Sequence, residues 1–271
     1  MTKTWFITGA SKGLGRAFAT AALKRGDRVA ATGRDTSTLQ DLAGRFGEDV
    51  LPLQLDVTDR QGARSAVERA HQRFGRLDVV VNNAGYGHFG AVEELTETEL
   101  RDQLDTNLFG ALRVTQAALP ILRKQGSGHL VQISSIGGIG AFPNLGAYHA
   151  SKWALEALSE SLALEVAPLG IRVTLVEPGG YGTDWAGPSS TRLQPLPAYD
   201  FVRDAAASRR TANPAGDPTA AAQALLEVAD ADAPPLRILF GAAAPTIVKG
   251  IYQARLQTWQ NWDALTQRAQ G

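Results

Sequence analysis

Short apolar segments alternate with longer segments of helical periodicity along most of the chain. The first of these short segments reads TWFIT. Runs that are apolar at successive positions, rather than at every second one, are typical of parallel strands buried on both faces of a sheet. The alternation with helices therefore predicts an α/β fold with three layers and a doubly wound parallel sheet. The six predicted strands are 4–8, 28–32, 50–55, 77–81, 129–134 and 172–177.

Two long helices are predicted between these strands, at roughly 97–124 and 147–167. After the sixth strand, the segment 180–215 begins with many Gly, Pro and Ser residues, and we interpret it as a substrate lid, with a plain surface loop as the alternative. An Ala-rich helix at about 218–230 and a strand LRILF follow. The chain then ends in a predicted helical extension, 241–271.

Composition excludes several classes of partner and site. Lys and Arg number 27, as do Asp and Glu, so the formal net charge is +0 and no basic surface for nucleic acid or an anionic membrane is expected. Without cysteine, disulfides and thiolate metal sites are excluded, and the scattered histidines do not suggest a metal site. No apolar stretch reaches the roughly 18 residues of a membrane span, and no leader is recognisable. We expect one soluble, cytoplasmic domain, 1–271.

A glycine-rich loop, TGASKGLG, follows the first predicted strand. Gly9, Gly13 and Gly15 stand where the strand turns into a helix. Glycines at such a turn allow the backbone to approach a pyrophosphate bound by helix N-terminal amides, although a tight turn with incidental glycines is the alternative. The spacing G-x-x-x-G-x-G differs from the usual G-x-G-x-x-G. The other contacts predicted from this loop are Ser11, Lys12 and Leu14.

The end of the second strand, ATGRD, bears on which dinucleotide is bound. NAD sites place an acid there for the ribose 2′-hydroxyl, whereas a 2′-phosphate requires cations. Gly33 stands at the position of the acid, with Arg34 after it and Lys12 in the glycine loop, so we predict NADP(H). Alternatively, both cations are solvated surface charges, or Asp35 is the acid displaced by one residue. Contacts to the adenine are predicted from Asp56 and Val57, although an Asp there could also begin the next helix.

The stretch AYHASK places Tyr148 and Lys152 four residues apart, on one face of a helix. A nearby ammonium should lower the pKa of the phenol from about 10, so that the tyrosine can donate a proton to a carbonyl oxygen or remove one from an alcohol. Ser135, at the end of the fifth strand, would hydrogen-bond the same oxygen. A pair of surface neighbours is the alternative reading of the spacing. His149 should face away from the reacting side, since one helical residue is a turn of about 100°.

Six motifs occur in one order: TGASKGLG, NNAG at 82–85, Asn107 in DTNLFG, ISS at 133–135, YHASK at 148–152 and EPGGYGT at 177–183. In order and spacing, over about residues 4–185, they resemble the short-chain dehydrogenase/reductase family, whose signature T-G-x-x-x-G-x-G explains the glycine spacing. The resemblance implies a Rossmann fold. Beyond residue 185 the chain looks most like the branch of 17β-hydroxysteroid dehydrogenase-like bacterial carbonyl reductases.

The resemblance implies an NADP(H)-dependent oxidoreductase with a catalytic tetrad of Asn107, Ser135, Tyr148 and Lys152. Lys152 would also bind the nicotinamide ribose, and Asn107 would hold a water that connects Lys152 to solvent. No metal is implied. The implied cofactor contacts after the fourth and sixth strands are Asn82, Asn83, Ala84, Gly85, Pro178, Gly179 and Thr183.

The resemblance also implies a hydrophobic ketone, aldehyde or alcohol as substrate, and a homodimer or homotetramer. A dinucleotide-binding regulatory protein without turnover, and a dehydratase or epimerase, remain alternatives. Trp259 and Trp262 in the last helix are expected to pack against the body or a partner subunit, and His88 and Phe89 could border the cleft. The apolar residues that suit a lid over a nonpolar substrate, or else anchor the segment to the core, are Tyr181, Trp185, Leu193, Leu196, Tyr199 and Phe201.

Overall fold

A computed structural model of the protein describes residues 2–183, 185, 187, 190–212 and 214–271. Its main sheet has seven strands, all parallel, in the order β3-β2-β1-β4-β6-β7-β9. These strands are β1 Thr4–Ile7, β2 Arg28–Gly33, β3 Val50–Gln54, β4 Val79–Asn82, β6 Gly128–Ile133, β7 Ile171–Pro178 and β9 Arg237–Phe240. The predicted doubly wound sheet is confirmed.

Helices cover both faces of this sheet. The helices are α1 Gly13–Lys24, α2 Gln40–Phe46, α3 Arg60–Phe74, α4 Glu97–Leu104, α5 Gly110–Gln125, α6 Gly146–Val166, α7 Asp200–Ala212, α8 Pro218–Asp230 and α9 Ala244–Arg268. Successive residues of β1 point to opposite faces. Trp5 and Ile7 pack with α1 and α8 on one side, whereas Phe6 packs with α3 and α5 on the other. The two apolar clusters and the sheet between them form the three predicted layers.

The predicted helix at 97–124 is interrupted in the structure. Residues Asp105–Phe109 form a π-helical turn between α4 and α5. One extra residue in a helical turn rotates the residues after it, and such turns are frequent at functional sites. The turn contains Asn107, whose side chain is buried within the protein. Periodicity alone missed this turn because it changes the apolar spacing over only a few residues.

The 180–215 segment contains regular structure in its described parts. A two-residue strand, β8 Thr191–Arg192, pairs in parallel with β5 His88–Phe89, and α7 follows. Tyr181 packs against the core and forms a bridge to Gly216. The segment is therefore attached to the loop after β4 as well as to the body of the sheet.

The C-terminal extension is helical, as the sequence predicts, but most of its length stands away from the core. Ala244 and Val248, in its first turns, are buried, whereas Trp259 and Trp262 are 64% and 61% exposed. The two tryptophans therefore do not pack against the body of the protein, and their expected contact with a partner subunit stays a prediction. Among the described residues, no helix combines the length and apolarity needed to cross a bilayer.

Candidate active site

The glycine-rich loop and the NNAG motif meet at the carboxyl ends of β1 and β4, where the strand order reverses. The amide of Asn83 donates to the carbonyl oxygens of Thr8 at 2.9 Å and Gly9 at 3.1 Å. The Thr8 hydroxyl accepts from the backbone N–H groups of Asn83 and Ala84, each at 2.9 Å. In doubly wound sheets this crevice is where ligands bind. Two motifs that are far apart in sequence therefore build one surface.

Asn82 does not contribute its side chain to this surface. Its amide donates to the Thr115 hydroxyl of α5 at 3.0 Å, and the residue is buried beneath the sheet. Alternation along β4 sends Asn82 toward the helix layer, while Asn83 lies past the strand end and faces the glycine loop. Val57 also turns inward, where it lies against Gly110. The prediction that Asn82 shapes the cofactor pocket is therefore wrong for its side chain.

Two glycines of the loop are required, Gly15 by close contacts and Gly13 by its backbone conformation. A Cβ on Gly15 would overlap the Gly9 carbonyl oxygen and the Asn83 amide, so α1 can begin this close to β1 only with glycine there. Gly13 has φ of 59°, and a Cβ on it would lie 3.6 Å from Thr183. The first and last motifs of the sequence therefore lie side by side. These short approaches fit a pyrophosphate lying across the N-terminus of α1.

The residues around the end of β2 bear on which dinucleotide fits. Gly33 supplies no carboxylate at the position of the acid, and the Ser11 hydroxyl lies next to it. The Asp35 carboxylate accepts from the Ser37 hydroxyl and backbone N–H, each at 2.8 Å, and these hydrogen bonds lower the pKa of Asp35. Lys12 and Arg34 are exposed. The structure therefore gives Asp35 a local capping role and leaves two cations at the predicted position.

Asp56 lies close enough to Arg34 for their charges to interact. Burial raises the pKa of Asp56, but two hydrogen bonds from Thr58 and the charges of Arg34 and Arg113 outweigh it, and the net pKa is lowered. The carboxylate Oδ1 accepts from the Thr58 backbone N–H at 2.9 Å and from its hydroxyl at 2.7 Å. Asp56 therefore stabilises the turn after β3, and as an ionised acceptor beside the crevice it fits the predicted adenine contact.

Ser135, Tyr148 and Lys152 converge at the carboxyl ends of β6 and β7. The Tyr148 hydroxyl lies close enough to Ser135 for that side chain to act on its pKa. Lys152 lies one helical turn after Tyr148, with its Nζ 5.8 Å from the phenol ring centroid. The Ser135 hydroxyl accepts from the Gly137 N–H at 3.0 Å and lies 3.4 Å from the Pro178 carbonyl oxygen. The EPGG motif therefore stands next to these three side chains, and Gly179 bonds back to Phe240.

The expected lowering of the Tyr148 pKa is wrong for the protein in this conformation. Burial raises the pKa of Tyr148 to about 12, opposed only by the hydrogen bond from Ser135. Burial also lowers the pKa of Lys152 to about 8, against the attraction of Glu156. The Lys152 ammonium donates to the Ile133 carbonyl oxygen at 2.7 Å, so it points partly away from the phenol. Desolvation of both groups in a closed site outweighs their proximity.

Asn107 lies in the neighbourhood of Lys152. Its amide donates to the Tyr86 carbonyl oxygen and the Ser151 hydroxyl, each at 3.1 Å, and its Oδ1 accepts from the Tyr86 N–H. A Cβ on Gly85 would lie 3.0 Å from the Asn107 Oδ1 and 3.8 Å from the Lys152 Nζ. The π-helical turn thus brings Asn107 into the same cluster as Lys152 and the NNAG motif.

Aromatic side chains cover Tyr148. The Trp185 ring makes an edge contact with Tyr148, at 4.8 Å between centroids, and another with Phe89 at 5.3 Å. Leu193 lies directly over Gly90. Other apolar residues of the 180–215 segment have different surroundings: the Tyr199 hydroxyl donates to Glu93, and Leu196 and Phe201 are exposed. Trp185 and Leu193 therefore form the apolar cover. The composition of the whole segment could not show which of its apolar residues do so.

His149 lies closer to the candidate site than the sequence analysis expected. Its ring is buried against Phe142, at 5.6 Å between centroids. A Cβ on Gly137 would lie 3.3 Å from both the His149 Nε2 and the Ser135 Oγ. The 100° rotation points His149 in a different direction from Tyr148, yet the two rings lie only 6.0 Å apart between centroids, and the loop after β6 places Ser135 and Gly137 next to His149. Within the described residues, no cluster of His, Asp and Glu could hold a metal ion.

The chain matches the model of the short chain dehydrogenase family over residues 3–194. It belongs to this family. An oxidoreductase of Botryotinia fuckeliana is 45% identical over 248 residues, which cover 90% of each chain. A short-chain dehydrogenase from Streptomyces avermitilis superposes with a TM-score of 0.93 at 40% identity, covering 99% of this chain and 98% of that one.

Two more distant dehydrogenase structures hold nucleotides. An alcohol dehydrogenase from Thermococcus sibiricus, complexed with 5-hydroxy-NADP, has a TM-score of 0.75 at 28% identity over 89% of this chain and 96% of that one. A 3-ketoacyl-(acyl-carrier-protein) reductase from Brucella melitensis, complexed with NADH, has a TM-score of 0.75 at 26% identity over 88% and 94%. Structural neighbours of this short-chain dehydrogenase thus bind nicotinamide dinucleotides of both kinds.

Proposed function

We propose that this oxidoreductase uses NADP(H) to interconvert a hydrophobic ketone or aldehyde and its alcohol. The observation that carries the proposal is the convergence of Ser135, Tyr148 and Lys152: Ser135 lies close enough to the phenol to act on its pKa, and the Lys152 Nζ is 5.8 Å from the phenol ring centroid. When bound, the nicotinamide supplies or accepts the hydride. The protein's own residues hold the carbonyl oxygen and exchange its proton.

Tyr148 is the proton donor in the direction of reduction. With a pKa raised to about 12 by burial, its hydroxyl keeps its proton at neutral pH and can donate it to a carbonyl oxygen as negative charge develops there. Ser135 donates a second hydrogen bond to the same oxygen and fixes its position. Lys152 places a positive charge near the resulting phenolate, and Asn107 lies beside Lys152, where a water could relay the proton from solvent. In the reverse direction the same groups accept the proton of an alcohol.

Lys12 and Arg34 support the choice of NADP(H). Arg34 is exposed directly after β2 and Lys12 is exposed in the glycine loop, while Gly33 supplies no carboxylate and Asp35 accepts hydrogen bonds from Ser37. The phosphate oxygens of a 2′-phosphate would accept hydrogen bonds from two cations. An unphosphorylated ribose would find no carboxylate at Gly33.

The segment 180–215 acts as the substrate lid in this proposal. The Trp185 ring closes over Tyr148, and Phe89 and Leu193 extend the apolar surface. These contacts favour a substrate whose carbon skeleton is apolar next to the reacting carbonyl. The lid must open for the substrate to reach the Tyr148 hydroxyl, because the residue is only 7% exposed.

The first test is the initial rate of NADPH oxidation, with NADH in parallel, against aryl ketones, aldehydes, ketosteroids and β-keto esters. We expect turnover with a preference for NADPH. Arg34→Gln should raise the KM for NADPH about tenfold or more, since a hydrogen bond to a charged group contributes about 1.5–3 kcal/mol, and should leave the KM for NADH nearly unchanged. Arg28→Gln, at the exposed opposite end of β2, is the matched control.

Other outcomes of this assay point to the alternative functions. Binding of NADPH without turnover of any carbonyl compound would favour a regulatory protein. Conversion of a substrate without net consumption of NADPH would favour a dehydratase or epimerase. Equal rates with NADH, unaffected by Arg34→Gln, would contradict the assignment of NADP(H).

A second test removes the hydroxyl of Tyr148. Tyr148→Phe retains the ring that packs against Trp185, and we expect kcat to fall at least about 100-fold, the usual contribution of a positioned proton donor. Tyr252→Phe, on the exposed side of α9, controls for the loss of a phenol elsewhere. Retention of full activity in Tyr148→Phe would refute the proposed proton donor.

We also propose a homodimer or homotetramer, in the cytoplasm. Apolar side chains are exposed on the outer surfaces around α5 and α6, among them Phe109, Trp153 and Leu164. Such side chains are typical of surfaces between subunits. Light scattering that gives a mass near 28.8 kDa at every concentration would contradict assembly.

A further inference from the structure

The hydrogen bonds of His149 fix the position of the proton on its ring. The backbone N–H of Phe142 lies 3.4 Å from the His149 Nδ1 and donates to it. Burial lowers the pKa of His149 to about 4, so the ring is neutral at physiological pH. A neutral imidazole whose Nδ1 accepts a hydrogen bond carries its proton on Nε2. His149 therefore presents an Nε2–H donor.

This donor has no hydrogen-bond partner among the residues that the structure describes. The Nε2 of His149 is buried and unpaired there, and the whole residue is only 4% exposed. Buried donors without a partner are rare in folded proteins because they lose their hydrogen bonds to water. A substrate with an acceptor at this point would restore the missing hydrogen bond.

The position of the unpaired donor relates it to the reacting atoms. The His149 Nε2 and the Ser135 Oγ each lie 3.3 Å from the place of a Gly137 Cβ, so the two polar atoms flank one glycine. Ser135 in turn lies close enough to Tyr148 to act on the pKa of its hydroxyl, and the Tyr148 and His149 rings are 6.0 Å apart between centroids. When Ser135 and Tyr148 hold the carbonyl oxygen of a substrate, the His149 donor would therefore lie near an atom only a few bonds away in the same substrate.

We propose that His149 determines substrate specificity by donating a hydrogen bond from Nε2 to a second oxygen of the substrate, on a group one or two carbons from the reacting carbonyl. This inference rests on the proposed carbonyl reduction. The neutral donor and the ring of Phe142 against it favour an uncharged acceptor, such as an ester, ether or hydroxyl oxygen. A carboxylate would lose its hydration there without gaining a countercharge.

The test compares two substrates of the same chain length, ethyl 3-oxohexanoate and nonan-4-one. In the first compound a single methylene group separates the ketone from an ester. In the second compound methylene groups replace the ester. For the wild type and each variant we would measure kcat/KM with NADPH for both, and take the ratio of the two values. The intrinsic difference in reactivity between the ketones cancels when the ratios of two enzymes are compared.

In His149→Leu, the ratio of ester to plain ketone should fall about fivefold to tenfold, the contribution of one neutral hydrogen bond. His149→Phe, which keeps the ring volume, should lower it equally, so that the result does not depend on whether one variant folds. His149→Gln, which retains an N–H donor, should keep a larger part of the preference than either.

Two results would overturn the inference in distinguishable ways. If His149→Leu and His149→Phe lower kcat/KM for both substrates by the same factor, the ratio is unchanged and His149 only supports the fold of the site. If the wild type oxidises NADPH with neither compound nor with any other carbonyl, the proposed carbonyl reduction fails, and the role of His149 fails with it.

Discussion

Replacing Glu177 by Gln should stabilise the protein at pH 8 and have little effect at pH 5. Glu177 lies at the end of β7 and is 2% exposed, and its Oε1 has no hydrogen bond. It faces a second buried carboxylate, Glu156, on α6. Arg237 is shared between them: its Nε donates to Glu156 at 3.0 Å, but lies 3.7 Å from Glu177. The same guanidinium also donates to Glu160 at 2.7 Å. Arg237 therefore faces three carboxylates, and Lys152 also lies near one of them, Glu156.

This arrangement raises the pKa of Glu177 from 4.5 to about 7. Burial is the main cause, repulsion from Glu156 adds to it, and Arg237 opposes it only in part. Because the folded protein holds the proton more tightly than the unfolded chain, the contribution of Glu177 to stability is greatest below pH 4.5. That contribution is lost as the pH rises from 4.5 through about 7.

The magnitude follows from this difference in pKa. Each pKa unit corresponds to about 1.4 kcal/mol, so ionised Glu177 destabilises the folded protein by about 3 kcal/mol above pH 7. Glutamine has the same shape and no charge, and its amide can donate to the unpaired Oε1 of Glu156. We expect Glu177→Gln to raise the free energy of unfolding by about 2–3 kcal/mol at pH 8, and by less than about 1 kcal/mol at pH 5.

Urea unfolding at pH 5 and pH 8 measures both values. Glu160→Gln is the matched control, since Glu160 contacts the same arginine but its side chain is 56% exposed, and exposed ion pairs contribute little. The control should change the free energy of unfolding by less than about 0.5 kcal/mol at either pH. An equal effect of Glu177→Gln at both pH values, or destabilisation at pH 8, would refute the argument that the carboxylate is uncompensated.

Two further predictions concern the glycine loop and a helix cap. Gly15→Ala should raise the KM for NADPH and lower the free energy of unfolding by about 1–3 kcal/mol, because its Cβ would overlap the Gly9 carbonyl oxygen. Steady-state kinetics and urea unfolding measure the two effects. An unchanged KM together with an unchanged free energy of unfolding would contradict this prediction. Gly250→Ala, in α9 with open space around it, should instead be neutral or stabilising. Asp59→Ala should lower the free energy of unfolding by about 1 kcal/mol without changing kcat, because the Asp59 carboxylate caps α3 by accepting from the Gln61 N–H at 2.9 Å. A loss of activity with no loss of stability would argue against a purely structural cap.

The fold class could be predicted from the sequence because its signals are local. Buried parallel strands are apolar at consecutive positions, and their alternation with helices leaves few topologies. The glycines after β1 and the spacing of Tyr148 and Lys152 are likewise local, since each depends on the geometry of one turn or one helix. The boundaries were less predictable: the strand expected at 77–81 is Val79–Asn82, a difference within the usual fraying of strand ends.

The surroundings of individual side chains were less predictable. Nothing in the sequence near Asn107 indicates that its helix contains a π-helical turn, and nothing near Asn82 indicates that its amide bonds to Thr115 rather than facing the cofactor crevice. The composition of the lid suggests an apolar cover, but only the structure separates Trp185, which contacts Tyr148, from Phe201, which is exposed. In each case the partner lies in another element of the chain.

The sequence by itself determined the order of strands and helices, the glycine loop, the family, and the set of residues from which a proton donor and a nucleotide site can be built. Only the tertiary structure decided that Ser135 meets both Tyr148 and His149, that burial raises the pKa of Tyr148, and that Glu156 and Glu177 share one arginine. The reason is physical. Backbone conformation depends mainly on neighbouring residues, whereas burial, electrostatic interaction and hydrogen bonding depend on which distant elements the packed core brings into contact.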